Sequence, residues 1–254
     1  TALDRDPNHV PSLLLGAQGS LAMKKPDFAL DLAQRVPKAK NAQAFQASLI
    51  EAEALNQLGR RDEAIRALTK LMEEEPKLPN SYLSMASVHL AAKENDKALE
   101  ALRLGLTRLP KQPQLAMAEI GLLTQLGRVD DAEKAAVAAF GEKPAFAAGI
   151  AVARNFANVR QFDAARRWIA KADEAAKDKE KLAEQFMLGD LALAQAGDPP
   201  DKKLAAEARD HFAVVIAGAP RELLAANNLA WLLATEFGQP AEAAKILDTA
   251  KGDV

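Results

Sequence analysis

Three kinds of residue recur in this chain at one interval, and that interval limits the possible folds more than any other feature. Ala64, Ala98 and Ala132 stand 34 and 34 residues apart, and Pro76, Pro110 and Pro144 repeat the same two steps. Gly59 and Gly127 are separated by 68, twice 34, with Lys93 at the place between them. A fixed period of this length marks a repeated supersecondary unit that buries its apolar face only by stacking on neighbours. Each unit reads as a helix, a short turn, a small residue, a second helix and a proline.

Each recurring residue has a physical reason. The alanine suits a point where two helices of a hairpin cross closely, because a larger side chain would hold them apart. The glycine ends the first helix, since it accepts the left-handed cap conformation. The proline stops the second helix, having no N–H and a ring that clashes with the preceding turn. Apolar residues between these points keep helical spacing, with Tyr82, Met85, Ala86 and His89 on one helix and Ala98, Leu102 and Leu109 on its partner. Composition agrees: 49% of residues are hydrophobic, yet Tyr occurs once and Trp twice, a balance that favours helices over strands.

The pattern resembles the tetratricopeptide repeat, whose first helix carries large, Leu and small residues and whose second carries Ala, an aromatic and Pro. Leu58-Gly59, Ala64, Leu68 and Pro76 match it, as do Tyr82, Ala86, Ala98 and Pro110, and then Leu126-Gly127, Ala132 and Pro144. The resemblance implies an all-α, right-handed α-solenoid of about seven helix-turn-helix repeats. Their expected bounds are 9–43, 44–78, 79–112, 113–145, 146–180, 181–221 and 222–254. Residues 1–7 resemble the end of a preceding repeat, so the natural N-terminus is expected to lie further upstream.

Fidelity varies along the ladder. Repeat one is the weakest match, with Ala17, Ala29 and a Lys24-Lys25-Pro26 turn. Repeat five is one residue short, with Ala165 standing 33 after Ala132, and the charged stretch Lys177–Lys181 replaces its proline. Repeat six has Leu188-Gly189, Ala208, Phe212 and Pro220, but Gly189 to Ala208 is 19 residues rather than 12. The seven extra residues are expected in an enlarged hairpin loop around Gly197–Asp201. Repeat seven carries Asn227-Asn228-Leu229-Ala230-Trp231-Leu232-Leu233-Ala234, then Gly238 and Ala243.

Catalytic signatures are missing from the sequence. The chain has no cysteine, which excludes disulfides, thiolate chemistry and cysteine-ligated metals. His9, His89 and His211 are far apart and lack metal-ligand spacing, and His89 fills a packed first-helix place. There is no nucleophile elbow, phosphate loop or dinucleotide fingerprint. Glu73–Glu75 reads as a solvated face, and Asp130-Asp131 as carboxylates capping a helix start and complementing its dipole. Asp198–Asp201 reads as a surface insertion or a contact loop. No enzyme activity, cofactor or metal is expected. The 33 basic and 35 acidic residues leave a net charge of -2, which disfavours nucleic acid, including recognition by a basic pentatricopeptide-like array. No apolar run reaches the roughly 20 residues that span a bilayer. Without cysteine the compartment stays open between cytoplasm and a bacterial periplasm or envelope.

In the family, the first helices of the hairpins line a concave groove. The register that places Ala52, Ala86, Ala153 and Gly189 at the packed small position then assigns the groove residues. In repeat two these are Gln46, Leu49, Glu53, Asn56 and Gln57, and in repeat three Ser84 and Ser87, flanked by Leu83 and Leu90. Repeat four offers Thr124 and Gln125 with Met117 and Gly121, and repeat five Arg154 and Asn158 with Ile150. Repeat six adds Phe186 and Asp190 with Met187, and repeat seven Asn227, Asn228 and Trp231. Amides can bond a peptide backbone and apolar side chains can hold its side chains. The Lys and Asn clamp that some members use for chaperone tails is absent, because Leu49, Glu53 and Ser84 stand in its places.

These residues imply a non-catalytic interaction scaffold that holds an extended peptide or a helix of a protein partner. The exposed ends of the stack are a further expected route to self-association. Two alternatives stay open. The run Asn227–Ala234, followed by Gly-Gln-Pro-Ala-Glu-Ala, loosely resembles long bacterial repeat proteins of the exosortase (PEP-CTERM) type, and so an envelope export or polysaccharide assembly component. The segment would also suit the helical accessory region of a larger enzyme such as a glycosyltransferase.

Overall fold

The computed structural model describes residues 6–252, apart from the side chain of Lys179. Residues 1–5 of the expected upstream fragment lie outside the described residues. Among the described residues the secondary structure is helical throughout, with fourteen α-helices and no strand. Helix packing divides the chain into two compact units, Thr1–Leu122 and Leu123–Val254, a boundary that falls inside one helix.

The first unit begins with α1 (Val10–Ala22) and α2 (Pro26–Gln34), followed by α3 (Ala42–Gln57) and α4 (Arg61–Glu74). It continues with α5 (Pro79–Ala91), α6 (Asn95–Arg108) and most of α7 (Pro113–Gln125). Antiparallel partners α1/α2, α3/α4 and α5/α6 form hairpins, and each hairpin also packs on the next through α2/α3 and α4/α5. First helices touch one another as well, α1 with α3 and α3 with α5, so they line one side of the stack.

The second unit holds α8 (Val129–Phe140), α9 (Phe146–Asn158), α10 (Phe162–Asp173), α11 (Asp178–Ala196), α12 (Lys202–Gly218), α13 (Leu223–Thr235) and α14 (Pro240–Lys251). Hairpins α9/α10, α11/α12 and α13/α14 pack in the same manner, and first helices α9 and α11 again meet.

The crossing alanines behave as their spacing requires. Ala64, Ala98, Ala132, Ala165 and Ala208 have no solvent exposure. Size is balanced across the crossings. A methyl group on Gly105 would come within 2.8 Å of the Tyr82 ring, and one on Gly189 within 2.8 Å of Phe212. The buried Tyr82 hydroxyl donates to the Pro76 carbonyl at 2.9 Å, so the polar tip of a core ring is satisfied by the turn before it.

The turns show what the glycine period stands for. Gly59 and Gly127 have φ of 75° and 72°, and Lys24, Lys93 and Arg160 take φ of 56°, 60° and 61° at the corresponding places. All five turns make the same pair of backbone bonds. At Lys93, for example, its N–H donates to the Leu90 carbonyl at 2.9 Å and the Glu94 N–H to the His89 carbonyl at 2.9 Å. This is the two-bond helix cap that needs one left-handed residue. Lysine and arginine occupy that conformation at a cost of about 1–2 kcal/mol relative to glycine.

Two sequence expectations change. The seven extra residues of repeat six do not form a large loop. First helix α11 runs seven residues past Gly189, where α3, α5 and α9 run five past Ala52, Ala86 and Ala153. Its turn is five residues instead of three, and α12 begins six residues before Ala208 where other second helices begin three before their alanine. Most of the insertion therefore extends helices, where new backbone N–H and C=O groups are satisfied within the segment. Asp201 caps α12, accepting from the Lys203 and Leu204 N–H groups at 3.0 Å each.

Pro144 does not stop its helix. Helix α8 ends at Phe140, where Gly141 turns at φ 81°, and Pro144 is buried against Gly149 instead. Asp130 and Asp131 both lie in the first turn of α8, where carboxylates complement the helix dipole. The N-cap is Arg128, and Asp131 sits in the first turn accepting from the Arg128 guanidinium at 2.8 Å.

Candidate functional site

The first helices position the expected groove residues, and each unit gathers part of that set into a cleft. In the first unit a cleft of about 530 Å³ is lined by Gln46, Leu49 and Glu53 of α3, with Gln18 and Leu21 of α1 and Asn80 of α5. Helical spacing explains the grouping, because residues three and four apart share a face. Glu53 is engaged, its Oε1 accepting from Gln57 Nε2 at 2.8 Å. The lining combines amides, the Glu53 carboxylate and apolar side chains.

In the second unit a cleft of about 410 Å³ lies between α9 and α11, lined by Arg154, Asn158, Phe186, Met187 and Asp190 with Ala157, Leu191 and Ala194. Its floor is rigid. Phe186 packs on the fully buried Phe212, ring centroids 5.8 Å apart and tilted by 59°. Asn228 of α13 reaches across and donates through Nδ2 to Asp190 Oδ1 at 3.1 Å. Partial burial is the main cause that raises the Asp190 carboxyl above its usual value, opposed by the nearby Arg154 charge and the Asn228 bond. Arg154 is exposed and makes no ion pair or hydrogen bond among the described residues.

The remaining expected residues divide by exposure. Asn56 and Ser84 are half-buried, while Gln57, Ser87, Gln125, Asn158 and Asn227 are exposed. Trp231 is 45% exposed on α13, an unusual setting for the largest aromatic side chain. Thr124 is buried, at 2% exposure, so its side chain is not on an open face. Sequence reasoning missed Gln18, Leu21 and Asn80. Gln18 was within reach, since it precedes Glu53 by 35 residues in the same register, but the weak motif of repeat one hid it.

The histidines are occupied structurally. His9 Nδ1 lies 2.8 Å from Ser12 Oγ. His89 lies 2.8 Å from Glu94 Oε2 and 3.2 Å from Arg61, which itself pairs with Glu94. Burial, then the Arg61 charge, pushes His89 below its ordinary pKa. His211 Nδ1 meets Gln185 Oε1 at 2.7 Å, and burial lowers its pKa as well. Among the described residues no group of three or more His, Asp or Glu side chains is placed to hold a metal ion. No helix among them is long and apolar enough to cross a membrane.

One buried carboxyl stands apart from the clefts. Glu184 of α11 is 7% exposed, and its Oε2 is without a hydrogen-bond partner. Burial, followed by a hydrogen bond and repulsion from Asp173 of α10, pushes it up to about 7, while Lys181 opposes the shift.

The tetratricopeptide repeat family profile matches residues 55–120. No curated protein sequence matches the chain. Pseudomonas aeruginosa pilF is similar in structure at 17% identity, with a TM-score of 0.47, over 80% of this chain and 89% of that one. A thermophilic TPR protein from Thermus thermophilus is similar at 21% identity and a TM-score of 0.45, over 69% and 96%. PilW, a type IV pilus biogenesis factor, is similar at 16% identity and a TM-score of 0.44, over 83% and 98%. Residues 55–120 thus match the tetratricopeptide repeat family, within a chain whose described residues form helical hairpins.

Proposed function

We propose that this chain is a non-catalytic scaffold that holds an extended peptide or a helix of a protein partner along its first helices. The tetratricopeptide fold commonly serves protein interaction, and fold alone would be an argument by association. The observation that carries the reading is the gathering of Arg154, Asn158, Phe186 and Asp190 into one cleft on the face where first helices meet. A second cleft, around Gln46, Leu49 and Glu53, supports it. Both combine apolar floors with amide and charged rims, the mixture that accepts peptide backbone and side chains together. The net charge of -2 offers no excess of cations to neutralise phosphates, so a protein partner fits better than nucleic acid.

Site-specific photocrosslinking tests this. A photoreactive phenylalanine analogue replaces Ser87 or Asn158 on first helices, and Thr107 or Lys70 on second helices, in cells of the source organism. Adducts with a protein partner are expected from the first pair and not from the second. Crosslinks confined to Thr107 and Lys70 would place the interaction on the opposite helices and refute the groove.

A further inference from the structure

We infer that the cleft of the second unit selects a partner segment by two anchors, an acidic side chain on Arg154 and an apolar side chain on Trp231 five or six residues away. This rests on the scaffold reading and adds the chemistry of the occupant. Three features of the second unit carry it.

The first is charge. Arg154 presents its guanidinium at the rim of the cleft with no ion pair or hydrogen bond among the described residues. Two other arginines of the unit are engaged by carboxylates: Arg166 bonds Glu207 at 2.5 Å and Arg167 bonds Glu133 at 3.1 Å. A planar guanidinium in a cleft matches a carboxylate through two parallel bonds. Asp190 does not take that role, being bonded to Asn228 instead. Its carboxylate faces the same cleft and suits backbone N–H groups of a chain crossing α11, which a second acidic side chain would not.

The second is the apolar end. Trp231 is 45% exposed and Leu224, seven residues before it on the same face of α13, is 63% exposed, outside the lining of the cleft that Phe186 and Met187 floor. An exposed indole is a typical anchor of an interface.

The third is spacing. Arg154, Asp190 and Trp231 each follow the small position of their own first helix, Ala153, Gly189 and Ala230. Helices α9 and α11 touch, and the Asn228–Asp190 bond links α13 to α11. Adjacent packed helices are about 8–10 Å apart, so Arg154 and Trp231 are roughly 16–20 Å apart. An extended chain covers about 3.3 Å per residue, which makes the gap five or six residues.

Blocked decapeptides, N-acetylated and C-amidated, supply the test on the intact chain. They carry Asp at position 3 and Leu at position 8 or 9, with Gly, Ala and Ser elsewhere. Binding is read by fluorescence polarisation. Replacing Asp by Asn, or moving Leu to position 5, is expected to weaken binding about tenfold, as loss of one charge-assisted contact does. In Arg154→Glu the preference should invert to Lys at position 3. Circular dichroism confirms that the variant folds. Equal binding of the Asp and Asn peptides, or an unchanged preference in Arg154→Glu, overturns the acidic anchor while leaving the scaffold reading to the crosslinking result. Binding only of peptides that have a free C-terminus and lack Asp overturns the side-chain source. If no blocked peptide binds while Asn158 crosslinks to a partner, the occupant is not an extended segment and the two-anchor inference fails alone.

Discussion

The clefts of the two units are built from the same helix positions and differ in what those positions carry. In the first unit the place after the small residue holds Gln18, Glu53 and Ser87, and Glu53 is tied to Gln57 on its own helix. In the second it holds Arg154, Asp190 and Trp231, charged or aromatic and open to solvent. The hairpins differ too. Those of the first unit keep three-residue turns after α3 and α5, whereas α11 and α12 are lengthened, and α11 carries a buried carboxyl, Glu184. The period thus sets which residues share a face, and substitutions within the period set the chemistry of that face. The two are separable because packing constrains the small and apolar positions while the solvent side of each helix is free to vary.

The largest expected difference between the units is in pH response. A carboxyl that ionises at about 7 in the folded chain, against 4.5 when unfolded, holds its proton more tightly in the fold. Its contribution is therefore complete below the unfolded value and is lost as pH rises through about 7. The full shift corresponds to at most about 3 kcal/mol. The lowered pKa values of His89 and His211 act in the opposite sense, being lost on acidification below the ordinary histidine value. Urea unfolding at pH 5.5 and pH 8 should therefore show a stability loss for the natural chain that Glu184→Gln largely removes. Equal slopes for the two proteins would show that Glu184 ionises normally.

Next in size is overpacking at the crossings. Ala98→Leu in the first unit and Ala208→Leu in the second should each cost about 1–3 kcal/mol, because both sites are without exposure. A neutral result at Ala208 alone would mean that the lengthened hairpin crosses elsewhere than its register implies. About 1 kcal/mol is expected from the turns, with the sign reversed. Lys93→Gly in the first unit and Arg160→Gly in the second should stabilise, since both relieve a left-handed residue that bears a Cβ. A drop in the thermal midpoint for either would show that the side chain contributes more than the backbone strain costs.

The smallest expected effect on stability, within about 0.5 kcal/mol, is Asn228→Ala, because that side chain is partly exposed and its bond to Asp190 is solvated. Its effect on binding should be larger, since Asp190 then loses the contact that orients it. Unchanged peptide affinity would narrow the binding face to Arg154 and Trp231.

Much of this molecule is legible in its sequence, and the exceptions share a cause. Ala64, Ala98 and Ala132 announced the crossings because a helical hairpin tolerates only a small side chain there. Gly59 and Gly127 announced the turns because the left-handed cap favours glycine. Lys24, Lys93 and Arg160 take the same conformation with no compositional sign, as the two cap bonds and the packed helices on either side impose it. The seven residues inserted in repeat six could be counted but not apportioned, since either a loop or longer helices satisfies the count. The hydrogen-bonding gain of continuing α11 and α12 decided between them. Pro144 could be counted as well, yet Gly141 ends the helix before it.

The same division holds for the site. Gln46, Leu49, Glu53, Arg154, Asn158, Phe186 and Asp190 were all named by register, because positions on one face of a helix follow from 3.6 residues per turn. That Thr124 is buried, that Arg154 is left without a partner and that Asn228 engages Asp190 depend on which helices come together and how closely. Periodicity alone determined the all-helical hairpin ladder and the faces of its helices, since both arise from contacts near in sequence. The tertiary structure decided which polar groups are satisfied and which remain available, because burial and pairing are properties of neighbours that the chain brings together from far apart.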